Sequence, residues 1–162
     1  MLSSSADDNK TIHFRLEDTN EDTLIELQHL LRQSDIELFR TCFIFTNRFS
    51  VMRYCSTKQK NDSCLLFSFA EKPCIGFIQN IIKIRHDELI LRICKVNIRD
   101  QLSLSLNNKT LSCPNIFYGD LDMDNSNVFI KPEAIIEKIV HVYNNQLKCY
   151  IFCRVPNLCE SS

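Results

Sequence analysis

Two long runs of β-branched and other apolar residues constrain the fold of this chain more than any other feature. The first covers residues 74–84 and the second covers residues 88–98, and only Arg85, His86 and Asp87 separate them. β-branched side chains favour extended backbone, and a short polar break between two such runs is typical of a hairpin. The sequence therefore predicts a long central hairpin to which the other strands are added.

Flanking apolar segments add further strands to this hairpin. Their enrichment in Ile, Val, Phe and Tyr, with polar turns between them, predicts eight to ten strands in all. The added strands are expected at residues 12–16, 36–45, 49–54, 64–70, 116–121, 128–130, 135–143 and 147–155. A helix that begins at Pro132 is the alternative for the seventh segment. The predicted fold is mainly β, a small barrel or sandwich.

Three local features refine this prediction. Asn47-Arg48 is expected to form a turn, and Gly76 is expected to mark a bulge or tight bend in the central strand. The apolar pattern weakens over residues 100–113, which indicates an exposed excursion around Asn107 and Asn108.

One short helix is predicted near the N-terminus. Capping signals at Asp18 and Thr19 precede apolar residues at helical spacing, and the helix is expected to end near Gln33. The apolar positions are Leu24, Leu27, Leu30 and Leu31. The domain organisation that follows is a flexible N-terminus (1–10), a strand–helix lead-in (11–35), a β-barrel domain (36–156) and a flexible tail (157–162).

Charge is distributed unevenly along the chain. Residues 1–37 carry nine acids and three cations, a net charge of −6, so the total of −1 leaves +5 for the remainder. Residues 40–61 contain five cations and no acid. A stretch of one sign indicates a basic surface that suits an anionic partner.

The last predicted strand alternates cations with aromatic side chains. An exposed face of this kind suits nucleic acid, because aromatic rings stack on bases and cations meet phosphates. The alternative is that Tyr150 and Phe152 lie under the N-terminal helix, with the cations at its edge. The residues predicted to bind DNA or RNA are Arg48, Arg53, Lys58, Lys60, Lys148, Tyr150, Phe152 and Arg154.

The spacing of possible metal ligands does not support a metal site. No C-x-x-C pair occurs, and on a strand Cys149 and Cys153 stand about 13 Å apart, too far for one zinc ion. Residues 120–126 resemble the start of a calcium loop, but Asn125 and Lys131 occupy the positions where glycine and glutamate are needed. The cysteines are expected to be core hydrophobes, and no cofactor is predicted.

Catalysis is not expected either. With two glycines, Gly76 and Gly119, a glycine-rich phosphate loop cannot be built, and no hydrolase or dinucleotide motif occurs. Nine cysteines without an apolar signal segment predict a reducing, intracellular compartment. No run approaches the roughly 20 apolar residues of a membrane span, so no membrane partner is expected.

Two segments carry a family resemblance. Residues 54–63 (YCSTKQKNDS), followed by 75–78 (IGFI), resemble the small terminal domain of transposase-like proteins from animal mobile elements. The order of residues 76–78, 88–96 and 131–142 is similar to that of bromo-adjacent homology (BAH) domains.

The resemblance covers about residues 50–155 and implies a BAH-like β-barrel associated with DNA or chromatin. We therefore predict a non-catalytic binding module, nuclear in preference to cytoplasmic, whose partner is nucleic acid, a chromatin protein or a parent transposase-like protein. The alternatives are a packing domain of such a larger protein, which would leave a large apolar area exposed, and a cryptic hydrolase in which Cys and His meet in space.

Overall fold

The computed structural model describes residues 15–17, 20–56, 62–122 and 127–155. These residues form ten strands and two α-helices, and the predicted mainly β fold is confirmed. In chain order they are β1 (Arg15–Leu16), α1 (Glu21–Leu31), β2 (Glu37–Ile44), β3 (Asn47–Ser50), α2 (Met52–Ser56), β4 (Cys64–Phe69), β5 (Lys72–Lys83), β6 (Leu89–Leu106), β7 (Lys109–Leu121), β8 (Asn127–Ile130), β9 (Ile135–Asn144) and β10 (Cys149–Arg154).

Six of the strands close into a ring. β5 pairs with β4, then β9, β10, β7 and β6 follow in turn, and β6 pairs with β5 again, always antiparallel. β2 adds to the second half of β5 and carries β1 and β3, while β8 adds to the first half of β6. A closed ring has no unpaired edge along its shared length, which protects the strands from pairing with other chains.

The predicted central hairpin forms two adjacent strands of this ring, β5 and β6. β5 and β6 pair over Gly76–Lys95 to Lys83–Leu89, and Ile78, Ile81, Leu91 and Ile93 of this pair are fully buried. The two strands are joined by a tight 3-10 turn at Arg85–Asp87. Burying such side chains is the largest favourable term in folding.

Gly76 has a different role from the predicted one. The register shift between β5 and β6 lies between Ile78 and Asn80, and Gly76 pairs regularly with Lys95. A Cβ atom at position 76 would come within 2.3 Å of Ile93 Cγ2. The glycine therefore allows close approach of two strands and does not mark a bulge.

Helix α1 lies where it was predicted, but its cap is Asn20. The Asn20 side chain accepts a hydrogen bond from the backbone N–H of Asp22 at 3.1 Å, while Asp18 and Thr19 lie outside the described residues. The helix buries Leu27 against Leu38 and Ile82 of the β2–β5 sheet. Neither α-helix of the described segments has the length and apolar character needed to cross a membrane.

Residues 45–56 differ from the prediction. The turn falls at Phe45–Thr46 and not at Asn47-Arg48, which belong to β3. The strand expected over residues 49–54 ends at Ser50, because the N–H groups of Tyr54 and Cys55 donate to the carbonyl of Val51 and close a helical turn. This turn buries Val51 and Cys55 completely or nearly so.

Residues 100–113 form the exposed excursion that was expected, built as a continuation of two strands. β6 and β7 continue as a two-stranded ribbon beyond the ring and are joined at Asn107 and Asn108. Both asparagines have positive φ, 50° and 61°, as a two-residue hairpin turn of type I′ requires. We call residues 99–115 the ribbon. The predicted termini, residues 1–10 and 157–162, lie outside the described residues.

Candidate functional site

The predicted cation–aromatic face of β10 points into the barrel. Phe152 has no exposed surface, and its ring centroid lies 5.9 Å from that of Phe77 in the core. The expectation that Phe152 is exposed is therefore wrong. Because the ring of strands encloses this face of β10, its aromatic side chains pack against the opposite wall of the barrel. They do not lie under helix α1.

Tyr150 belongs to the same interior cluster at one end of the barrel. Its ring centroid lies 5.1 Å from Phe77 and 5.0 Å from Tyr143, and burial raises the pKa of its hydroxyl. His141 packs edge-on against Phe77 at 4.7 Å, and burial lowers the pKa of its imidazole. These rings fill the end of the barrel with side chains that contact one another.

The predicted cations are paired with carboxylates from distant parts of the sequence. Arg53 Nε donates to Glu17 Oε1 at 2.7 Å. Arg154 donates to the carboxylate of Glu137, and that hydrogen bond raises the pKa of the guanidinium. The absence of acids from the sequence around Arg53 therefore does not leave Arg53 as an uncompensated surface charge.

Arg48 is only partly compensated, because it shares one carboxylate with a second cation. Its Nε lies 3.9 Å from Asp62 Oδ2, and the other oxygen of that carboxylate accepts from Lys138 Nζ. Lys148 sits in the turn before β10, is exposed and has a φ of 50°. Lys58 and Lys60 lie outside the described residues. The described members of the predicted site are thus spread over β3, α2 and the two ends of β10.

A cavity of about 400 Å³ opens at one mouth of the barrel. Its walls are largely apolar and include Leu66, Ile75, Val96 and Phe117, while Arg154 lies at its rim. Glu137 neutralises Arg154, so the charge that this mouth presents to an anionic ligand is that of Lys95, which also lines the cavity and lies over the ring of Phe69.

Three of the described thiols show the opposite of the activation that a nucleophile needs. Burial raises the pKa of Cys42 to about 12, and it also raises the pKa of Cys64 and, with help from Asp122, that of Cys94. Reactive cysteines instead have lowered pKa values. Among the described residues, no group of three His, Cys, Asp or Glu side chains is placed to hold a metal ion.

The ribbon carries the most distinctive surface of the described chain. Leu104 and Leu111 are directly paired across β6 and β7, so both lie on one face, with Leu102 and Leu106 on either side of Leu104. Leu104 is 56% exposed, Leu111 60% and Leu106 68%. We call these four residues the leucine face.

The other face of the ribbon is polar. It consists of Ser103, Ser105, Thr110 and Ser112, which alternate with the leucines along both strands. The sequence signal was available, because Leu and Ser alternate with period two from Leu102 to Leu106. The strands were predicted from enrichment in β-branched and aromatic residues. Leucine and serine belong to neither class, so this alternation was not recognised.

The leucine face continues onto the outer wall of the barrel. A groove of about 300 Å³ lies between Leu102 of the ribbon and Tyr118, Leu147 and Ile151 of the barrel. Tyr118 pairs with Ile151, which pairs in turn with Val142, so the three side chains form one row across β7, β10 and β9. Leu147 and Val142 are 61% and 59% exposed. The apolar surface thus spans the ribbon and three barrel strands, and we call this whole surface the apolar face.

Comparison of the chain with protein-family models, with curated proteins and with solved structures finds no match. The resemblance to BAH domains and to transposase-like proteins therefore stays a prediction. The geometry of the apolar face is the observation on which a function can be argued.

Proposed function

We propose that this chain is a non-catalytic interaction module that packs on a protein partner through the apolar face. The single observation that carries this proposal is the exposure of Leu104, Leu106 and Leu111 on one side of a regular ribbon. Monomeric soluble proteins rarely leave a contiguous apolar patch of more than a few hundred Å² in water. An apolar area of this kind was the feature expected of a packing domain.

The size of the face supports a macromolecular partner. Five aliphatic side chains on it are each more than half exposed: Leu104, Leu106, Leu111, Val142 and Leu147. With the partly exposed neighbours in the groove, they leave on the order of 600 Å² of apolar surface in water, which is at the upper end for a monomer. Ligand pockets for small molecules are concave, whereas this face runs along an extended ribbon and a barrel wall.

The chemistry of the face favours protein over nucleic acid. Affinity for nucleic acid is dominated by cations that meet phosphates, and the side chains between Leu102 and Ile151 in the groove are apolar or uncharged. The leucines of the ribbon also offer no ring on which a base can stack. A chromatin protein or a parent transposase-like protein, the partners implied by the resemblance, would be compatible with such a face.

Site-specific photo-crosslinking tests the proposal. A photoreactive amino acid is placed at Leu104 or, as the matched control, at Ser105, which is the next residue on the opposite face. The full chain is irradiated in cells that produce it, and adducts are resolved by mass. We expect a discrete adduct of defined mass from position 104 and none from position 105.

Equal adducts from both positions would indicate non-specific contact and would overturn the proposal. Absence of an adduct from position 104 would do the same. A third variant, with the photoreactive group at 104 and Leu111→Ser, should lose most of the adduct, because the paired leucine completes the docking surface.

A further inference from the structure

We infer that the partner on the apolar face is a second copy of this chain, packed ribbon against ribbon about a two-fold axis. The inference rests on the proposed function, because it identifies the partner of the same face. Three features of the ribbon carry it: the absence of a second layer against its apolar face among the described residues, its protected edges and the placement of two opposite charges at its ends.

The ribbon lacks the support that isolated hairpins need. β10 pairs with β7 only over residues 116–119, and β5 pairs with β6 only over residues 89–95, so within the described segments residues 103–106 and 109–112 pair only with each other. A two-stranded hairpin is marginal in water unless its apolar face packs on another layer. A second ribbon about 10 Å away would supply that layer, with leucines inside and serines outside.

The edges of the ribbon disfavour the alternative of edge-to-edge pairing. Pro114 on β7 has no N–H to donate to a neighbouring strand, and β6 carries Arg99 and Asp100 where the ribbon leaves the barrel. Proline and charged side chains are the devices that block strand addition. Face-to-face packing is therefore the geometry that the ribbon offers.

Charge makes the leucine face self-complementary. Asp100 precedes Leu102 on the same side of β6, at the base of the ribbon, and Lys109 pairs with Leu106 at its tip. One Asp100 oxygen accepts from the backbone N–H of Gln101 at 2.7 Å. Six strand residues separate the base from the tip, about 20 Å, so the two charges are too far apart to pair within one chain.

A two-fold axis across the middle of the leucine face would bring these charges together. The ribbons then run in opposite directions, and each Lys109 meets Asp100 of the partner subunit, so the pair forms twice. Each ribbon then covers the leucine face and the adjoining barrel wall of the other chain, so the whole apolar face with its polar rim approaches the roughly 800 Å² per partner that a stable interface buries. Parallel ribbons would instead bring like charges together.

Sedimentation velocity of the purified full chain tests the inference. We expect a reversible equilibrium between the 19.0 kDa monomer and a species of twice that mass. Leu104→Ser with Leu111→Ser should weaken the dimer by at least about a hundredfold, as expected when central apolar contacts are removed. Ser105→Ala, on the opposite face, should leave the dimerisation constant unchanged.

A charge exchange distinguishes a second copy from a foreign partner. Asp100→Lys and Lys109→Asp should each weaken the homodimer by about tenfold, because like charges then face one another twice. The double variant should dimerise like the original chain. An equimolar mixture of the two single variants should form a heterodimer, since both charge pairs are then restored. Circular dichroism of each variant confirms that it folds.

Two outcomes overturn the inference. The first is a purified chain that is monomeric at every concentration, and the second is a dimer that is insensitive to both the leucine variants and the charge exchange. If the purified chain is monomeric while the photoreactive group at Leu104 gives an adduct whose mass differs from twice 19.0 kDa, the docking function stands and only the second copy is excluded. If position 104 gives no adduct at all, both proposals fail.

Discussion

Leu104 and Leu111 lie directly opposite each other across β6 and β7, and both are more than half exposed. On the same strand, Leu91 is paired with Ile81 and has no exposed surface. One strand thus serves two purposes, because its first half closes the barrel core and its second half presents the same residue type to solvent. The stability of the monomer should therefore depend much more on the buried side chains of the first half than on the exposed leucines of the second half.

This division predicts a large difference in stability between two leucine substitutions. Leu91→Ala should lower the free energy of unfolding by about 2–5 kcal/mol, because it removes buried methyl groups and leaves a cavity. Leu104→Ser should change it by no more than about 0.5 kcal/mol, because an exposed side chain contributes little to folding of the monomer. Chemical denaturation at a protein concentration where the monomer dominates measures both values. Equal losses would mean that the ribbon is part of the folding core.

Gly76 should tolerate no larger residue. A Cβ atom there would lie 2.3 Å from Ile93 Cγ2 and 2.8 Å from the carbonyl oxygen of Cys94, so β5 and β6 would have to move apart. Gly76→Ala should therefore lower the free energy of unfolding by about 1–3 kcal/mol, the usual cost of overpacking. Ser105→Ala, on the exposed polar face of the ribbon, is the matched control in the same denaturation experiment. A Gly76→Ala chain as stable as the original would contradict the close strand packing.

The central hairpin, helix α1 and most strands could be predicted because their signals are local. Runs such as residues 74–84 need only their neighbours to indicate a strand. The closure of the ring could not be predicted, since it depends on pairs such as Leu66–Glu137 that are 71 positions apart. The short helix α2 was missed because Val51 and Cys55 are buried by a backbone turn that the apolar pattern does not specify.

The candidate site was predicted less well, because charge and exposure are properties of the folded surface. Glu17 compensates Arg53 from 36 positions away, and Glu137 compensates Arg154 from a neighbouring strand. The alternation in β10 was read correctly as two faces, but the face that carries Phe152 is turned inward by the ring closure. The Leu–Ser alternation of the ribbon was a local signal for the apolar surface, but the prediction, which followed residue-type enrichment, missed it.

Asn108 should be replaceable by glycine but not by alanine. It occupies the second position of the ribbon turn with a φ of 61°, a left-handed conformation that asparagine and glycine adopt more readily than alanine. Asn108→Ala should lower the free energy of unfolding by about 1 kcal/mol, whereas Asn108→Gly should be neutral within about 0.5 kcal/mol. The same effect of both substitutions would mean that the type I′ turn does not form.

The ion pairs limit how steeply binding of DNA or RNA depends on salt. Arg53 and Arg154 each pair with a carboxylate, while Arg48 shares Asp62 with Lys138, so at most four of the predicted cations (Arg48, Lys58, Lys60 and Lys148) are left to meet phosphates. The slope of log affinity against log salt should then be no steeper than about −3.6. Fluorescence anisotropy with a labelled duplex at several salt concentrations measures this slope.

The charge pairing also predicts how that slope changes. Glu137→Gln should steepen it, because the substitution removes the carboxylate that neutralises Arg154. Glu133→Gln, an exposed acid with no bearing on that pair, is the control. A slope near −5 in the original chain would show that the paired arginines exchange their carboxylates for phosphates and would restore the basic-surface prediction.

The buried thiol of Cys42 should make the protein less stable at alkaline pH. Burial raises its pKa from the ordinary value of 9.0 to about 12, so the folded chain keeps the proton over a pH range in which the unfolded chain loses it. A group whose pKa is raised on folding contributes its full stability below the pKa of the unfolded chain. For Cys42 that contribution is complete below about pH 9 and is lost as the pH rises from about 9 to about 12.

The measurement is the difference in the free energy of unfolding between the original chain and Cys42→Ala at a series of pH values. Below about pH 9 this difference should be constant, because it reflects only the packing lost in the variant. By pH 11 the original chain should have lost about 2–3 kcal/mol of stability relative to Cys42→Ala. Ile44→Val, a buried change without a titrating group on the same strand, should shift stability by the same amount at every pH. A pH-independent difference for Cys42→Ala would mean that this thiol titrates alike in the folded and unfolded chains.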